Sequence, residues 1–426
     1  MCLRHVDRTQ GLTYLTKHRR MPALALLGER DFLILWISKS IHEMSRRMEL
    51  LVLGYLILQL TGSAFHVGLV SVFLNGPRPV LSLFAGHIAD RFNRRLILIV
   101  VHSAYLISAI SILLTIVTGT IGHWFIFGTI LFQGIAKVMD DPSRRTAILD
   151  LSGEVRLANA MSLETINNNA GKIIGPLLGG VLIAVTGFIG AYAFIAILDI
   201  VALVLMIKLR LPTRSQDDRL TLPIRESLVQ GIKYSVKNRT VLGVLIVSLV
   251  MNGLVFPIQY FIPVIASDVL SVSTILGGIL GSADGIGNLI GASMIAMKRN
   301  ISRHGLLFVG GAMIIAVAVT LVAWSPWFLI SFILLLIGGW GQAGFSTMQA
   351  TIVLLASHQE LRGRTQGAQG LVNGLGHLIG GYEIGAIASA FGITLAIGLN
   401  AAAGIILLIA LAIITPLVKQ RGTPQP

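Results

Sequence analysis

The 426-residue chain is 54% hydrophobic and 12% charged, with a mean hydropathy of +0.81, whereas an ordinary soluble domain has about 25% charged residues; a water-soluble fold cannot hide that much apolar surface. Its formal charge of +14 would suggest nucleic acid for a soluble protein, but the basic residues sit in short breaks between apolar runs, which ties them to membrane orientation and excludes a nucleic-acid partner. The single cysteine, Cys2, excludes a disulfide framework and a cysteine-based metal site.

In chain order, residues 1–30 carry Arg4, Arg8, Lys17, Arg19, Arg20 and Arg30 without a long apolar core or small-residue cleavage site, and read as a cytoplasmic basic arm instead of a cleaved leader. Apolar runs then predict twelve spans, near 31–59, 65–89, 95–118, 122–146, 156–186, 188–208, 239–266, 272–297, 304–323, 326–356, 363–388 and 391–418. The breaks alternate in charge. One set holds Arg91, Arg94 and Arg95, then Arg144, Arg145 and Arg156, then Lys208 to Arg239, Lys298 to Arg303, Arg362 with Arg364, and Lys419 with Arg421. The other, around Thr61, Gly119, Gly187, Ser271, Ser325 and Phe391, has no Lys or Arg. The positive-inside rule therefore predicts an even number of spans with both termini cytoplasmic. Residues 209–238 read as a cytoplasmic linker between six-helix bundles at 31–208 and 239–418, followed by a tail at 419–426.

Two motifs stand out. Between the second and third spans, Gly86-His-Ile-Ala-Asp90-Arg91-Phe-Asn-Arg94-Arg95 puts a small residue, an acid and a basic cluster in one tight turn. Gly86 permits close helix approach, and Asp90 can pair with Arg in one state and release it in another, which makes a gate; a plain turn with positive-inside charge is the alternative. In the fifth span, Gly171-Lys-Ile-Ile-Gly175-Pro176-Leu-Leu-Gly179-Gly180 repeats glycine every four residues and adds a kinking proline, a dry seam against a neighbouring helix.

The first motif resembles the loop signature of the major facilitator superfamily, and the second resembles the antiporter motif of its drug-efflux branch. Across Phe32 to Gly180, including Leu60-Thr-Gly-Ser63 and Ala158-Asn159-Ala160, the chain is similar to bacterial exporters of the macrolide-efflux and enterobactin-exporter type. Asn93 departs from the usual glycine of the loop motif, and only a degenerate echo stands near Gly291 to Arg299. The resemblance implies an all-α membrane protein of twelve helices in two six-helix bundles, a monomer in the bacterial inner membrane, with spans one, two, four and five lining one side of a cavity. It also implies proton antiport.

Ionisable groups at membrane depth cost about 2.5–3.5 kcal/mol on insertion scales and normally face a cavity or a partner. The first span sets Lys39, Glu43 and Arg47 on one row, with His42, Arg46 and Glu49 beside it; the second has Asn75 and Arg78. The fourth has Lys137, Asp140, Asp141, Arg144 and Arg145, and the fifth Glu164, Asn168 and Lys172. Glu43 and Glu164 are the expected proton carriers, with Arg47, Arg78, Asn168 and Lys172 holding substrate or tuning the acids; fixed internal ion pairing is the alternative. The second half scatters Asn252, Gln259, Asp284, Asn288, Gln342, Gln349, Asn373, His377 and Glu383 among aliphatics. Gln259 and Asn373 are its expected cavity contacts, and a cavity polar on one wall and apolar on the other suits an amphipathic molecule.

Other chemistries lack carriers. His42-Glu-Met-Ser-Arg46 has Arg where a zinc-protease helix needs its second His, no Gly-rich loop ends in Lys-Ser or Lys-Thr, and Gly281-Ser282-Ala-Asp284 is not a nucleophile elbow. No enzyme activity, cofactor or metal is expected. The expected function is export of a drug, macrolide or siderophore-like molecule coupled to inward proton flow. Arg46, Arg47, Arg78 and Lys172 also suit an exporter or flippase of an anionic siderophore or lipid, and a third reading is a transporter-like ligand sensor.

Overall fold

A computed structural model of the protein describes residues 25–81, 93–211, 224–298, 301, 303–358 and 361–418. The first helices are α1 (Arg30–Thr61), α2 (Ala64–Asn75, its helical path running on to residue 81) and α3 (Arg94–Val117). A continuous helical run, His123–Lys208, is interrupted at Gly153 and Gly187, with φ 69° and 67° and extended ψ, a region open essentially to glycine alone. These breaks divide it into α4 (123–152), α5 (154–186) and α6 (188–208). Next come α7 (Ile224–Lys237), α8 (Arg239–Val269), α9 (Thr274–Met297), α10 (His304–Trp324), α11 (Phe328–Leu355), α12 (Arg362–Phe391) and α13 (Ile393–Ile414).

With α7 set aside, twelve helices stand in two six-helix bundles among the described residues, and their edges follow the apolar runs. Seven helical stretches there are long and apolar enough to cross a membrane; charged α1 is not among them. Asn93, which departs from the loop motif, earns its place by capping α3: its side chain accepts from the Arg95 backbone N–H at 3.0 Å. Asn238 caps α8 in the same way, accepting from Thr240 and Val241 at 3.0 and 3.1 Å.

Within the stretch read as a linker, α7 forms and docks by Tyr234 Oη–H to the Ala356 carbonyl at 3.0 Å, leaving Ile232 and Val236 exposed beside Lys233 and Lys237. Span α8 also departs from a plain helix. It holds two wide turns, Met251–Val255 and Ile265–Val269, where Phe256 N–H reaches the Met251 carbonyl and Leu270 N–H that of Ile265, five residues back. Pro257 and Pro263 lie between them and contribute no backbone donors.

The outer surface is apolar, with Ile107, Ile406 and Ile413 all more than half exposed. Trp124, Trp324 and Trp327 project at the end of the bundle that lacks Lys and Arg, an aromatic belt for a membrane interface. At this end the bundles touch backbone to backbone. A Cβ on Gly68 would fall on the Gly381 carbonyl, and one on Gly278 would come within 2.5 Å of the Pro176 carbonyl.

Candidate functional site

Between the bundles a cavity of about 750 Å³ runs from the middle of the molecule toward the basic end, reaching Arg145, Ile148, Met161 and Ala350. Contacts at Gly68, Gly180 and Gly278 seal the other end. Its first-bundle wall comes from α1, α2, α4 and α5, and carries eight bases, Lys39, Arg46, Arg47, Arg78, Lys137, Arg144, Arg145 and Lys172, against the four acids Glu43, Glu49, Asp141 and Glu164. The opposite wall offers Gln259, Tyr260, Asn288, Ser346, Thr347 and His377. An excess of cations in a site walled by low-dielectric helices gives a positive potential in the chamber.

Glycine in α5 places the charges. A Cβ on Gly171 would lie 2.9 Å from Glu43 Cβ, and one on Gly175 2.6 Å from Arg47 Cβ, so only these bare positions let α5 press against the charged row of α1. Gly179 continues the seam against Met48, while Gly180 and Pro176 face α9 across the bundle boundary. The glycine motif therefore packs two helices at once.

Glu43 is enclosed. It accepts from Lys39 Nζ and Arg46 Nη2, each at 2.8 Å, and Arg47 Nε lies 3.9 Å away. Glu164 has a looser setting, 3.8 Å from Lys39. Arg78 pairs with Asp141 at 3.4 Å, and buried Arg144 with Asp140 at 2.8 Å. Lys137 meets only an amide oxygen, that of Asn75, at 3.3 Å. Side chains bridge the bundles at mid-depth: Lys172 Nζ donates to Gln342 Oε1 at 2.6 Å and approaches Asp284 at 3.2 Å, Arg47 Nη1 donates to Gln259 Oε1 at 3.5 Å, Asn75 Nδ2 donates to Tyr260 Oη at 2.9 Å and Ser71 Oγ to the His377 carbonyl at 2.8 Å.

Glu43, Glu164, Arg47, Arg78, Asn168, Lys172 and Gln259 thus share one chamber. Asn373 stands apart from its wall, accepting from Asn252 Nδ2 at 3.2 Å inside the second bundle. Of the gating motif, Gly86, Asp90 and Arg91 lie outside the described residues; Arg94 pairs with Asp150 on α4, and Arg95 donates to the Ile207 carbonyl at 2.5 Å. Sequence reasoning passed over Gln133 and Asp199, which approach Glu49 and Ser45 of α1. A single acid inside the apolar run of α6 was the available signal for Asp199.

A narrower branch of about 90 Å³ leaves the chamber at Arg47 and Lys172 and enters the second bundle. Leu51, Pro176, Phe256, Ile262, Leu280, Ile315, Val319 and Leu335 make most of its wall apolar, with Gln259, Asp284 and Gln342 as its polar members beside the two cations. Cations therefore stand at the mouth of an oily slot, an arrangement that can seat a molecule with an anionic head and an apolar body.

The family described as transmembrane secretion effector matches residues 21–423. The chain is 27% identical over 333 residues to the multidrug efflux pump Tap of Mycolicibacterium fortuitum, covering 74% of this chain and 79% of that one. It is 24% identical over 332 residues to the enterobactin exporter EntS of Escherichia coli O1:K1, covering 78% and 79%. Its 26% identity to the staphyloferrin A transporter of Staphylococcus aureus runs over 58% of this chain and spans 62% of that protein's length, less than two thirds. Among solved structures, a bacterial homologue of the human lysosomal transporter Spinster, in an inward-facing and unoccupied conformation, superposes with a TM-score of 0.66 at 16% identity, covering 93% of this chain and 96% of that one. A POT family transporter in complex with 5-aminolevulinic acid gives 0.73 at 13% identity, covering 91% and 96%.

Proposed function

Because the chain belongs to the transmembrane secretion effector family of the major facilitator superfamily, multi-pass membrane transporters and not enzymes, we propose that it exports small amphipathic anions across the bacterial inner membrane in exchange for protons. The carrying observation is the chamber itself, eight bases against four acids at the mouth of an apolar slot. The names of its relatives, a siderophore exporter and a drug pump, support outward transport. With the Arg-rich breaks in the cytoplasm, the chamber is open to the cytoplasm and ready to load.

In this reading an anionic head enters from the basic end and meets Arg47, Arg78 and Lys137, of which Lys137 has no carboxylate within ion-pair distance among the described residues. Guanidinium forks add bidentate recognition of a carboxylate or catecholate. The apolar body fills the slot. Lys172 is the trigger, because substrate must compete with Asp284 and Gln342 of the second bundle for its ammonium, loosening a bridge between halves. Glu43, held by three cations, supports the cationic wall as a fixed anion; Glu164 is freer to exchange a proton with cavity water.

Flux in proteoliposomes under an imposed pH gradient tests this. A catecholate siderophore should move faster with the gradient than without it, ethidium should move little, and Arg47→Gln should slow the siderophore about tenfold, the worth of roughly 1.4 kcal/mol of binding. Preference for the cation would sink the anionic-substrate reading, and siderophore flux indifferent to the gradient would sink proton coupling.

A further inference from the structure

Helix α7 is packed on one side and open on the other. With about 3.6 residues per turn, residues four apart lie nearly in line along a helix. Gly231 and Ser235 make a buried line, and a Cβ on Gly231 would come within 2.7 Å of the Arg364 carbonyl of α12. On the adjoining line, Tyr234 donates to the Ala356 carbonyl at 3.0 Å, as does Asn238, just past the helix end, at 2.9 Å. Arg364 also donates to Gln230. The other two lines meet no such partners: Ile232 and Val236 are 47% and 56% exposed, and Lys233 and Lys237 are exposed beside them.

The dock fixes the depth of this open surface. Ala356 directly follows α11, Arg364 lies in the first turn of α12, and Asn238 caps α8, so α8, α11 and α12 all end at the level of α7. Helices leave the bilayer there, and Leu354, two residues before Ala356, is still exposed as lipid-facing residues are. Charge then selects the cover. From Gln230 to Leu245 the sequence has Lys233, Lys237 and Arg239 and no acid, and Arg239 and Arg362 are exposed as well. A second copy of the chain meeting this face about a two-fold axis would set lysine against lysine. An apolar line with a basic line beside it, at the depth of a membrane surface, is matched by acyl chains for the first and phosphates for the second.

We propose that α7 binds anionic phospholipid of the inner leaflet, the side on which the positive-inside rule puts the basic ends. Ile232 and Val236 sit at the boundary of acyl chains and headgroups, and Lys233, Lys237 and Arg239 hold the phosphates. Lysine serves here as a compact charge on a flexible stem, able to follow headgroups that move. None of these residues lines the chamber. The site is therefore separate from the transport pathway and needs neither the substrate class nor the proton coupling proposed above. Because α7 is fastened to α11 and α12 and runs directly into α8, lipid gathered on it is gathered at the cytoplasmic edge of the second bundle.

The full chain in phosphatidylcholine nanodiscs tests this. With Cys2→Ser removing the single native cysteine, a bimane label is attached at Ile232→Cys and, in a second variant, at Val236→Cys. The label should resist quenching by aqueous iodide. Spin-labelled phosphatidylglycerol should quench it at a mole fraction at least about fivefold lower than spin-labelled phosphatidylcholine, fivefold being roughly the worth of one base beside an anionic leaflet. Lys233→Gln with Lys237→Gln should abolish most of that preference, whereas Lys233→Arg with Lys237→Arg should keep it. A label open to iodide in both variants would put this face in water and overturn the proposal. Equal quenching by the two lipids, or a preference that survives the glutamine pair, would overturn the anionic site. A label shielded from iodide and from both lipids would mean that protein, such as a second copy of the chain, covers the face in place of lipid.

Discussion

Glu43→Gln is expected to cost about 3–5 kcal/mol, the usual penalty for removing one partner of a buried ion pair. Lys39, Arg46 and Arg47 would keep their positive charges at membrane depth with their common counterion gone, and Lys39 is almost fully buried. Loss should appear as a lower midpoint of thermal unfolding in detergent and as poor membrane yield. Adding Lys39→Met removes one stranded cation, so the double variant should recover part of the loss. Glu164→Gln should be far milder, since its nearest cation is 3.8 Å away and that cation keeps Glu43. Equal damage from the two glutamine variants would refute the division between a fixed anion and an exchangeable one.

Gly180→Ala should jam the transporter with little loss of fold. A Cβ there would land on the Thr274 carbonyl and stand 3.0 Å from Gly278 Cα, so the clash falls between bundles and not inside one. Overpacking typically costs about 1–3 kcal/mol. Moving the bundles apart relieves it, and a penalty borne by one conformation alone shifts populations roughly 5- to 150-fold. Cysteines placed at the sealed end should become accessible to a membrane-impermeant maleimide, and gradient-driven flux should fall in proportion. An inaccessible sealed end in a folded Gly180→Ala protein would show that this contact does not govern the conformational balance.

Much of this architecture was legible because lipid imposes so strict a code. Apolar runs and the alternation of basic and uncharged breaks place nearly every helix end, and the four-residue spacing of Lys39, Glu43 and Arg47 shows that they share a face. What spacing cannot reveal is partnership between helices. Lys172 has no near neighbour in sequence to suggest Asp284 and Gln342, more than a hundred residues away, as its partners. Asp199 is a lone acid whose partner, Ser45, stands on another helix. Linker helix α7 was missed because its amphipathic pattern lies beside Pro223 in a polar stretch, where composition suggests a connector. The wide turns of α8 left no signal beyond Pro257 and Pro263, because an extra residue in a helical turn leaves hydropathy unchanged.

The unlike construction of the two ends makes ionic strength a one-sided lever. No ion pair among the described residues holds the sealed end; the close packing at Gly68, Gly180 and Gly278 and the neutral hydrogen bond from the Thr274 hydroxyl to the Gly180 carbonyl, at 3.1 Å, are contacts that salt does not screen. The breaks at the basic end carry Arg145 in the first bundle, besides Arg94 and Arg156 paired with Asp150 and Glu29, and Lys298, Arg362 and Arg364 in the second, so closing this end brings an excess of like charge together. With a screening length of about 30 Å at 0.01 M salt and about 8 Å at 0.15 M, dilute buffer should hold the basic end open and physiological salt should release it. Spin-label distances across that end should shorten as salt rises; distances that ignore salt would mean that the rims never approach closely enough to repel.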